Sequence, residues 1–361
     1  MTNCIFICIF NNEHYIKMFY MLLESLYIYG NMDDNIEILL YTSTSFMEII
    51  KTHYLYNENI KFEINDTYDS VDKACKARLD LFNLKSIDNY SKVLYLDTDI
   101  LIKNDIQKIF DVVKEDILYV LEEGRIDISN PYKTEDDFLS HDNWGCLLFQ
   151  LNNELNNYDD KSAFTSGILL FNNCEKIKML FDKTSEHILN SPYKFGNHDQ
   201  PYIIYNAFKY NLYNNKILSE TCINNNLDVT NDKSIHHFPG GPGVYENKLY
   251  NMGVFMYNLK LHTLYHKLYH ISNDNNIKNN INIINKSYSW DDTSITFLEN
   301  NKMNALGDGQ YVEVNKILGF HFVIADFGSR KYTIIFNDDY KEFTSIANHN
   351  GEIKKSVQLL N

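Results

Sequence analysis

The sequence predicts an α/β chain: a wound, mostly parallel sheet with helices on both faces, followed by a small all-β module. Three observations carry this. Up to about residue 209, apolar runs of strand length alternate with stretches of helical apolar spacing, the pattern of βαβ units. From residue 288 onward only short strand-like runs remain, separated by turn residues. Between the two textures, "ISNDNNIKNNINIINKS" (271–287) reads as an Asn-rich linker. The division expected is therefore a main domain at 1–270, a linker at 271–287 and an accessory module at 288–361.

The elements follow in order. "CIFICIF" (4–10) is a buried strand, with Cys4, Phe6 and Cys8 sharing one face. "EHYIKMFYMLLESLYIYG" (13–30) has helical spacing and stops at Gly30, a C-cap. "IEILLYT" (36–42) and "IKFEI" (60–64) are strands two and three. "SVDKACKARLDLFNLKSI" (70–87) reads as a helix with a Ser cap, and "KVLYLD" (92–97) as the next strand. From Arg125 to Lys161 the pattern dissolves into polar, acidic text around Trp144, a long loop of the functional kind. "AFTSGILLFNN" (163–173) restores a strand; helices are expected at 175–190, 199–209 and 248–269. The strand-like runs after 287 suggest a sandwich.

Bulk properties exclude some functions. With 361 residues, 44% of them hydrophobic, the chain can bury a sizeable core. The net charge of -15, with no Lys/Arg-rich run, argues against nucleic-acid binding and against an anionic membrane surface. No apolar run reaches transmembrane length. The apolar N-terminus lacks a positive start and a small-residue cleavage site, so it reads as a first strand and not a signal peptide. None of the six cysteines forms a CxxC pair, which fits reduced thiols and a cytoplasmic location.

The chemistry concentrates in "KVLYLDTDILI" (92–102). Asp97 and Asp99 stand i and i+2 on an extended segment, so both carboxylates project to one side. Like charges that close repel unless a cation intervenes or one protonates. Two readings are open: solvated turn aspartates, or a metal site. Hard oxygen ligands suit Mg²⁺ or Mn²⁺, an added imidazole favours Mn²⁺, and substrate phosphates commonly complete such a shell. The end of a buried strand in a wound sheet is where ligands bind. The chemical reading is a metal-dependent site for a nucleoside diphosphate or its ester.

Several segments together resemble one family. "YSKVLYLDTDILIKNDIQKIFD" (90–111) is similar to the DxD segment of family 8 glycosyltransferases. "FICIFNNEHY" (6–15), "KARLDLF" (76–82), "FTSGILLFNN" (164–173), "GNHDQPYIIYNAF" (196–208) and "IHHFPGG" (235–241) resemble further family motifs in the family's order. The likeness covers about 3–260 and leaves 271–361 without a counterpart. It implies a GT-A, Rossmann-like domain that transfers a hexose from a UDP-sugar to an acceptor hydroxyl with retention. Glucose or galactose is favoured, and Mn²⁺ is the expected cofactor, with Mg²⁺ able to replace it. A glycan, protein or lipid-linked saccharide would accept the sugar.

The resemblance also implies roles. Asp97, Asp99 and His237 would hold the metal. Phe10, Asn11, Asn12 and Tyr15 would border the nucleotide, with Tyr15 stacking on uracil or serving as ordinary core. Arg78, with Lys76 as fallback, would contact the donor, as would Thr98 and Ser166. Asp199 and Gln200 would face the transferred sugar, or Asp199 would simply cap a helix. Glu122, Glu123 and Trp144 are open to sugar or acceptor contact. Two departures stand out: Thr165 replaces the family's asparagine, and the KPW after HFxG is missing, leaving Gly243 where a lysine contacts pyrophosphate. Lys248, or backbone N–H groups of Gly240, Gly241 and Gly243, could substitute. The module at 288–361 is open to acceptor binding, packing against the main domain, or homodimer formation. A non-catalytic nucleotide-sugar-binding or scaffold protein is the alternative; a nucleotidyltransferase is disfavoured because "FNNEHY" is neither Gly-rich nor basic.

Overall fold

The computed structural model describes residues 2–127, 142–240, 245–273, 283, 285–290, 293–299, 302–305, 308–317, 320–327, 331–336, 340–347 and 353–359. They fall into two compact units: Met1–Asn226 with Asp232–Met252, and Leu227–Asn231 with Gly253–Asn361.

The first unit is built on a seven-stranded sheet in the order β3-β2-β1-β4-β7-β6-β8. Its strands are β1 (Thr2–Ile9), β2 (Ile36–Thr42), β3 (Ile60–Ile64), β4 (Tyr90–Leu96), β6 (Leu118–Arg125), β7 (Ser162–Asn172) and β8 (Tyr213–Asn214). All are mutually parallel except β7, which runs antiparallel to β4 and β6. Apolar side chains alternate across β1. Ile5, Ile7 and Ile9 pack with α1 (Glu13–Tyr29), while Cys4 and Phe6 join the core on the opposite face, with α6 (Glu175–Asn190) and α7 (Gln200–Lys209). Both faces are therefore covered, which the near-continuous apolar runs of a parallel sheet require.

The segment 70–87 does not form one helix. It breaks into α3 (Val71–Ala74) and a 3₁₀ stretch, Ala77–Asn83, and Ser70 makes no side-chain cap bond. Ala77, Leu79 and Leu81 are all buried, a spacing of two that no single α-helical face satisfies. A second, three-stranded sheet carries the site: β5 (Ile100–Ile102), β10 (Ile235–His237) and β9 (Cys222–Asn224), with β10 in the middle. Helix α8 (Tyr245–Asn273) follows, and the expected linker falls partly in it and largely outside the described residues. None of the six cysteines is paired. Among the described residues no helix is long and apolar enough to cross a membrane.

In the second unit the expected sandwich does not form. Strands β11 (Ser287–Trp290), β12 (Thr293–Phe297), β13 (Lys302–Asn304), β14 (Asp308–Ile317), β15 (Phe320–Asp326), β16 (Lys331–Phe336), β17 (Glu342–Ala347) and β18 (Ile353–Val357) make one antiparallel meander. Every neighbour in sequence is a neighbour in the sheet, so no crossover splits it in two. Its ends meet: Tyr288 bridges Gln358, and Leu359 N donates to Ser287 O at 2.8 Å. Tyr288, Phe297, Phe336 and Phe343 fill the core, and Trp290 Nε1 donates to Ser345 Oγ at 2.9 Å, the partner a buried indole needs.

Candidate active site

Strand pairing delivers the site. Asp97 N donates to Gly167 O at 2.9 Å, continuing the β4–β7 ladder to the first aspartate. Just beyond Asp99, β5 pairs antiparallel with β10, setting His237 opposite Ile100, and Phe238 N donates to Asp99 O at 2.9 Å. A contact across 138 positions of sequence thus follows from three residues of backbone pairing.

Asp97, Asp99 and His237 offer ligand atoms that all lie within 4.8 Å of one another. His237 Nδ1 is 2.9 Å from Asn224 Oδ1. The amide oxygen only accepts, so Nδ1 carries the proton and Nε2 presents a lone pair. That lone pair faces Asp99 Oδ1 at 3.5 Å. Asp99 Oδ1 is buried and, among the described residues, completes no hydrogen bond. Two buried acceptors facing each other call for a cation or a proton between them. A hard divalent ion with one imidazole ligand meets that requirement, so these residues fit the group. Gly167 keeps the space open. A Cβ there would sit 2.7 Å from His237 Cε1 and Nε2 and 3.0 Å from Asp97 Oδ2.

Beside the cluster, Arg78 is largely buried between carboxylates. Its Nη1 is 3.5 Å from Asp97 Oδ1 and its Nε 3.0 Å from Asp199 Oδ2. Nη1 also donates to Ser166 O at 2.5 Å, and the guanidinium lies over the Tyr95 ring at 4.7 Å. The Nε–Asp199 pair is close but misaligned, and among the described residues neither atom completes a hydrogen bond. Burial pushes the Asp199 carboxyl up to about 6, Arg78 pulls it back, and Asp97 adds to the rise. Asp99 moves the other way: burial opposes its charge, but the Lys248 ammonium beside it, joined by His237 when that imidazole is protonated, holds it well below the usual carboxylate range. Gln200 is fixed at both ends of its amide. Its Oε1 accepts from Ser166 N at 2.9 Å and Oγ at 3.1 Å, and its Nε2 donates to Asn143 O at 3.0 Å.

These groups line a cleft of about 480 Å³ at the carboxyl ends of β1 and β4. A profile of glycosyl transferase family 8 matches residues 25–284, more than half of the chain. The chain belongs to glycosyltransferase family 8. No curated protein sequence matches it. Solved structures similar to this family 8 glycosyltransferase include three. The WbbM bifunctional glycosyltransferase in its apo form has a TM-score of 0.49 and 15% identity, over 70% of this chain and 49% of that one. Mouse xyloside xylosyltransferase 1 has 0.46 and 11%, over 66% and 98%. The galactosyltransferase LgtC, in complex with donor and acceptor sugar analogs, has 0.43 and 16%, over 69% and 95%. The chain thus spans about half the length of the first.

In this family 8 glycosyltransferase the cleft brings together most of the residues singled out from sequence. Phe10, Asn11, Tyr15, Arg78, Thr98, Ser166, Gly240 and Lys248 line it with the three candidate metal ligands, Asp199 and Gln200. Phe10 is buried, its ring 5.1 Å from that of Tyr41 and 5.0 Å from that of Tyr68. Asn12 is not among the lining residues; it caps α1, its Oδ1 accepting from His14 N at 2.9 Å. Glu123 and Trp144 reach the cleft, whereas Glu122 is exposed and paired with Lys216 at 2.5 Å. Trp144 lies over Gly124, which takes φ +70°; a Cβ there would penetrate the indole. His236 turns away, its Nδ1 3.1 Å from Asn226 O. Gly241, Gly243 and much of the acidic loop lie outside the described residues.

Two residues that shape the candidate site escaped the sequence reading. Asn224 orients His237, and Gly167 yields the space for its ring. "FTSG" contained a glycine whose strand context signals close approach; nothing in "CINNN" marked Asn224. Lys248, expected at pyrophosphate, has its Nζ 2.5 Å from Asp99 Oδ2.

Proposed function

We propose that this glycosyltransferase moves a hexose, glucose or galactose by preference, from a UDP-sugar to an acceptor hydroxyl with retention at the anomeric carbon, and that it requires a divalent metal, Mn²⁺ before Mg²⁺. The observation that carries the reading is the facing pair of buried acceptors, Asp99 Oδ1 and His237 Nε2, beside Asp97. Asp97, Asp99 and His237 would hold the ion, which neutralises the charge that develops on a departing diphosphate.

The chain's own residues would supply the rest. Phe10, Asn11 and Tyr15 line the cleft and would border the base, with the Tyr15 ring stacking on it. Arg78, fixed by Asp97, Asp199 and the Ser166 carbonyl, presents a preorganised positive charge toward the donor. Asp199 would hold sugar hydroxyls. Gln200 is an amide with both ends engaged, which suits positioning beneath the anomeric carbon and not nucleophilic attack. No carboxylate in the cleft is assigned as nucleophile. Same-face attack through an oxocarbenium-like transition state is therefore favoured: the C1–O bond to the β-phosphate breaks as the acceptor oxygen bonds C1, and the acceptor's hydroxyl proton passes to the departing phosphate oxygen on the same face.

UDP-sugar hydrolysis and transfer tests this. Turnover of UDP-glucose or UDP-galactose should need Mn²⁺ and disappear in Asp99→Asn. Failure to turn over any UDP-sugar, with nucleotide binding retained, would favour a non-catalytic binding protein.

A further inference from the structure

The strongest unexplained contact in the cleft is Lys248 to Asp99. The ammonium sits 2.5 Å from Oδ2 of Asp99, the more deeply buried of the two candidate carboxylate ligands, and the lysine side chain is itself only 12% exposed. Its place on α8 sharpens the point. Lys248 belongs to the first turn of that helix, where the backbone dipole disfavours a cation. Such a cation needs an anionic partner in every state of the site. Asp99 provides one here. An incoming divalent ion would claim the same carboxylate, and two cations on one carboxylate repel. Lysine's flexible four-carbon stem lets it change partner where a rigid guanidinium would not.

We propose that Lys248 is a placeholder cation: it neutralises Asp99 until the divalent ion binds, then transfers its ammonium to the pyrophosphate of the nucleotide. This rests on the reading of the cleft as a metal and nucleotide-sugar site, and adds an exchange to it. The placeholder solves a physical problem. Asp97, Asp99, Glu123 and Asp199 converge on the cleft, against the cations Arg78 and Lys248. Without a metal, Asp99 would otherwise be a buried, uncompensated charge. The exchange also couples the two ligands, because metal binding frees the group that the diphosphate then engages.

The test is Mn²⁺ titration of the full chain, followed by the electron paramagnetic resonance signal of free Mn²⁺, with and without UDP. Removing a competitor should tighten metal binding, so Lys248→Met should bind Mn²⁺ about tenfold more tightly without nucleotide, the size of one charge-assisted hydrogen bond. At saturating Mn²⁺ the same variant should bind UDP about tenfold more weakly. Melting curves establish that it folds, and Lys248→Arg, which keeps the charge but holds Asp99 with a guanidinium that does not give way, should bind Mn²⁺ more weakly than wild type. Equal or weaker Mn²⁺ binding by Lys248→Met overturns the placeholder role. Tighter Mn²⁺ with unchanged UDP affinity overturns the transfer to pyrophosphate. If no form binds Mn²⁺, wild type included, the metal reading falls and takes the exchange with it.

Discussion

Gly167→Ala is the sharpest perturbation available. The added Cβ would meet the His237 ring at 2.7 Å and Asp97 Oδ2 at 3.0 Å. Carbon atoms rest at about 3.5 Å or more, so the ring must retreat by about 0.8 Å. The backbone cannot absorb this, since the Gly167 carbonyl is tied to Asp97 N at 2.9 Å and β7 is flanked by β4 and β6. Metal–ligand distances tolerate only about 0.2 Å. Loss of one well-placed ligand, with disturbance of a second, should weaken Mn²⁺ binding about 100-fold, or about 3 kcal/mol. The fold should survive: the backbone at 167 is not left-handed, and alanine's unfolded-state gain of about 0.4–1 kcal/mol offsets part of the local steric strain. Calorimetric Mn²⁺ titration and metal-free melting report the two effects separately. Mn²⁺ affinity within about threefold of wild type, with an unchanged melting temperature, would refute the steric reasoning and remove Gly167 from the site.

The remaining predictions concern charge and orientation. Asp199 is raised to about 6 from 3.8, so between those values the native state binds a proton that the unfolded state lacks. Stability from this group is therefore gained as pH falls through 6 and lost as pH rises through it, by about 1 kcal/mol between pH 7 and 5. The gap in unfolding free energy between wild type and Asp199→Asn should widen in favour of wild type over that interval; histidine contributions common to both cancel, and a flat difference would contradict the burial. Asn224→Leu should lower Mn²⁺ affinity by about 10- to 100-fold. Asn224→Asp, which still accepts from His237 Nδ1, should stay near wild type; equal losses in both would make Asn224 a packing residue and not an orienting one.

The wound sheet was readable because its signals are local. β2, β3 and α6 fall where apolar periodicity placed them, and β1, β4 and β7 within two residues of it. The aspartates and His237 were readable as motif residues, and strand pairing beside the DxD brings them together. What escaped depends on contacts between distant segments. Asn224 matters only because β9 lies beside β10. Lys248 lies on Asp99, 149 positions away, and no sequence pattern sets whether such a lysine meets a carboxylate or a phosphate. The break at Cys75–Lys76 reflects the burial of Ala77, Leu79 and Leu81, a tertiary demand that overrides helical propensity. In the second unit turns announced the hairpins, but meander and sandwich share the same short strands and differ in which edges meet.

That edge meeting has a consequence. Ser287, at the entry to the meander, is hydrogen-bonded to Leu359, at its exit, so the chain comes in and goes out along one seam. A fold with its two ends stitched side by side can be cut open at any hairpin and rejoined by a short peptide without moving a strand. Where the two ends meet, their backbone groups bond each other, so that stretch of edge is closed to another chain.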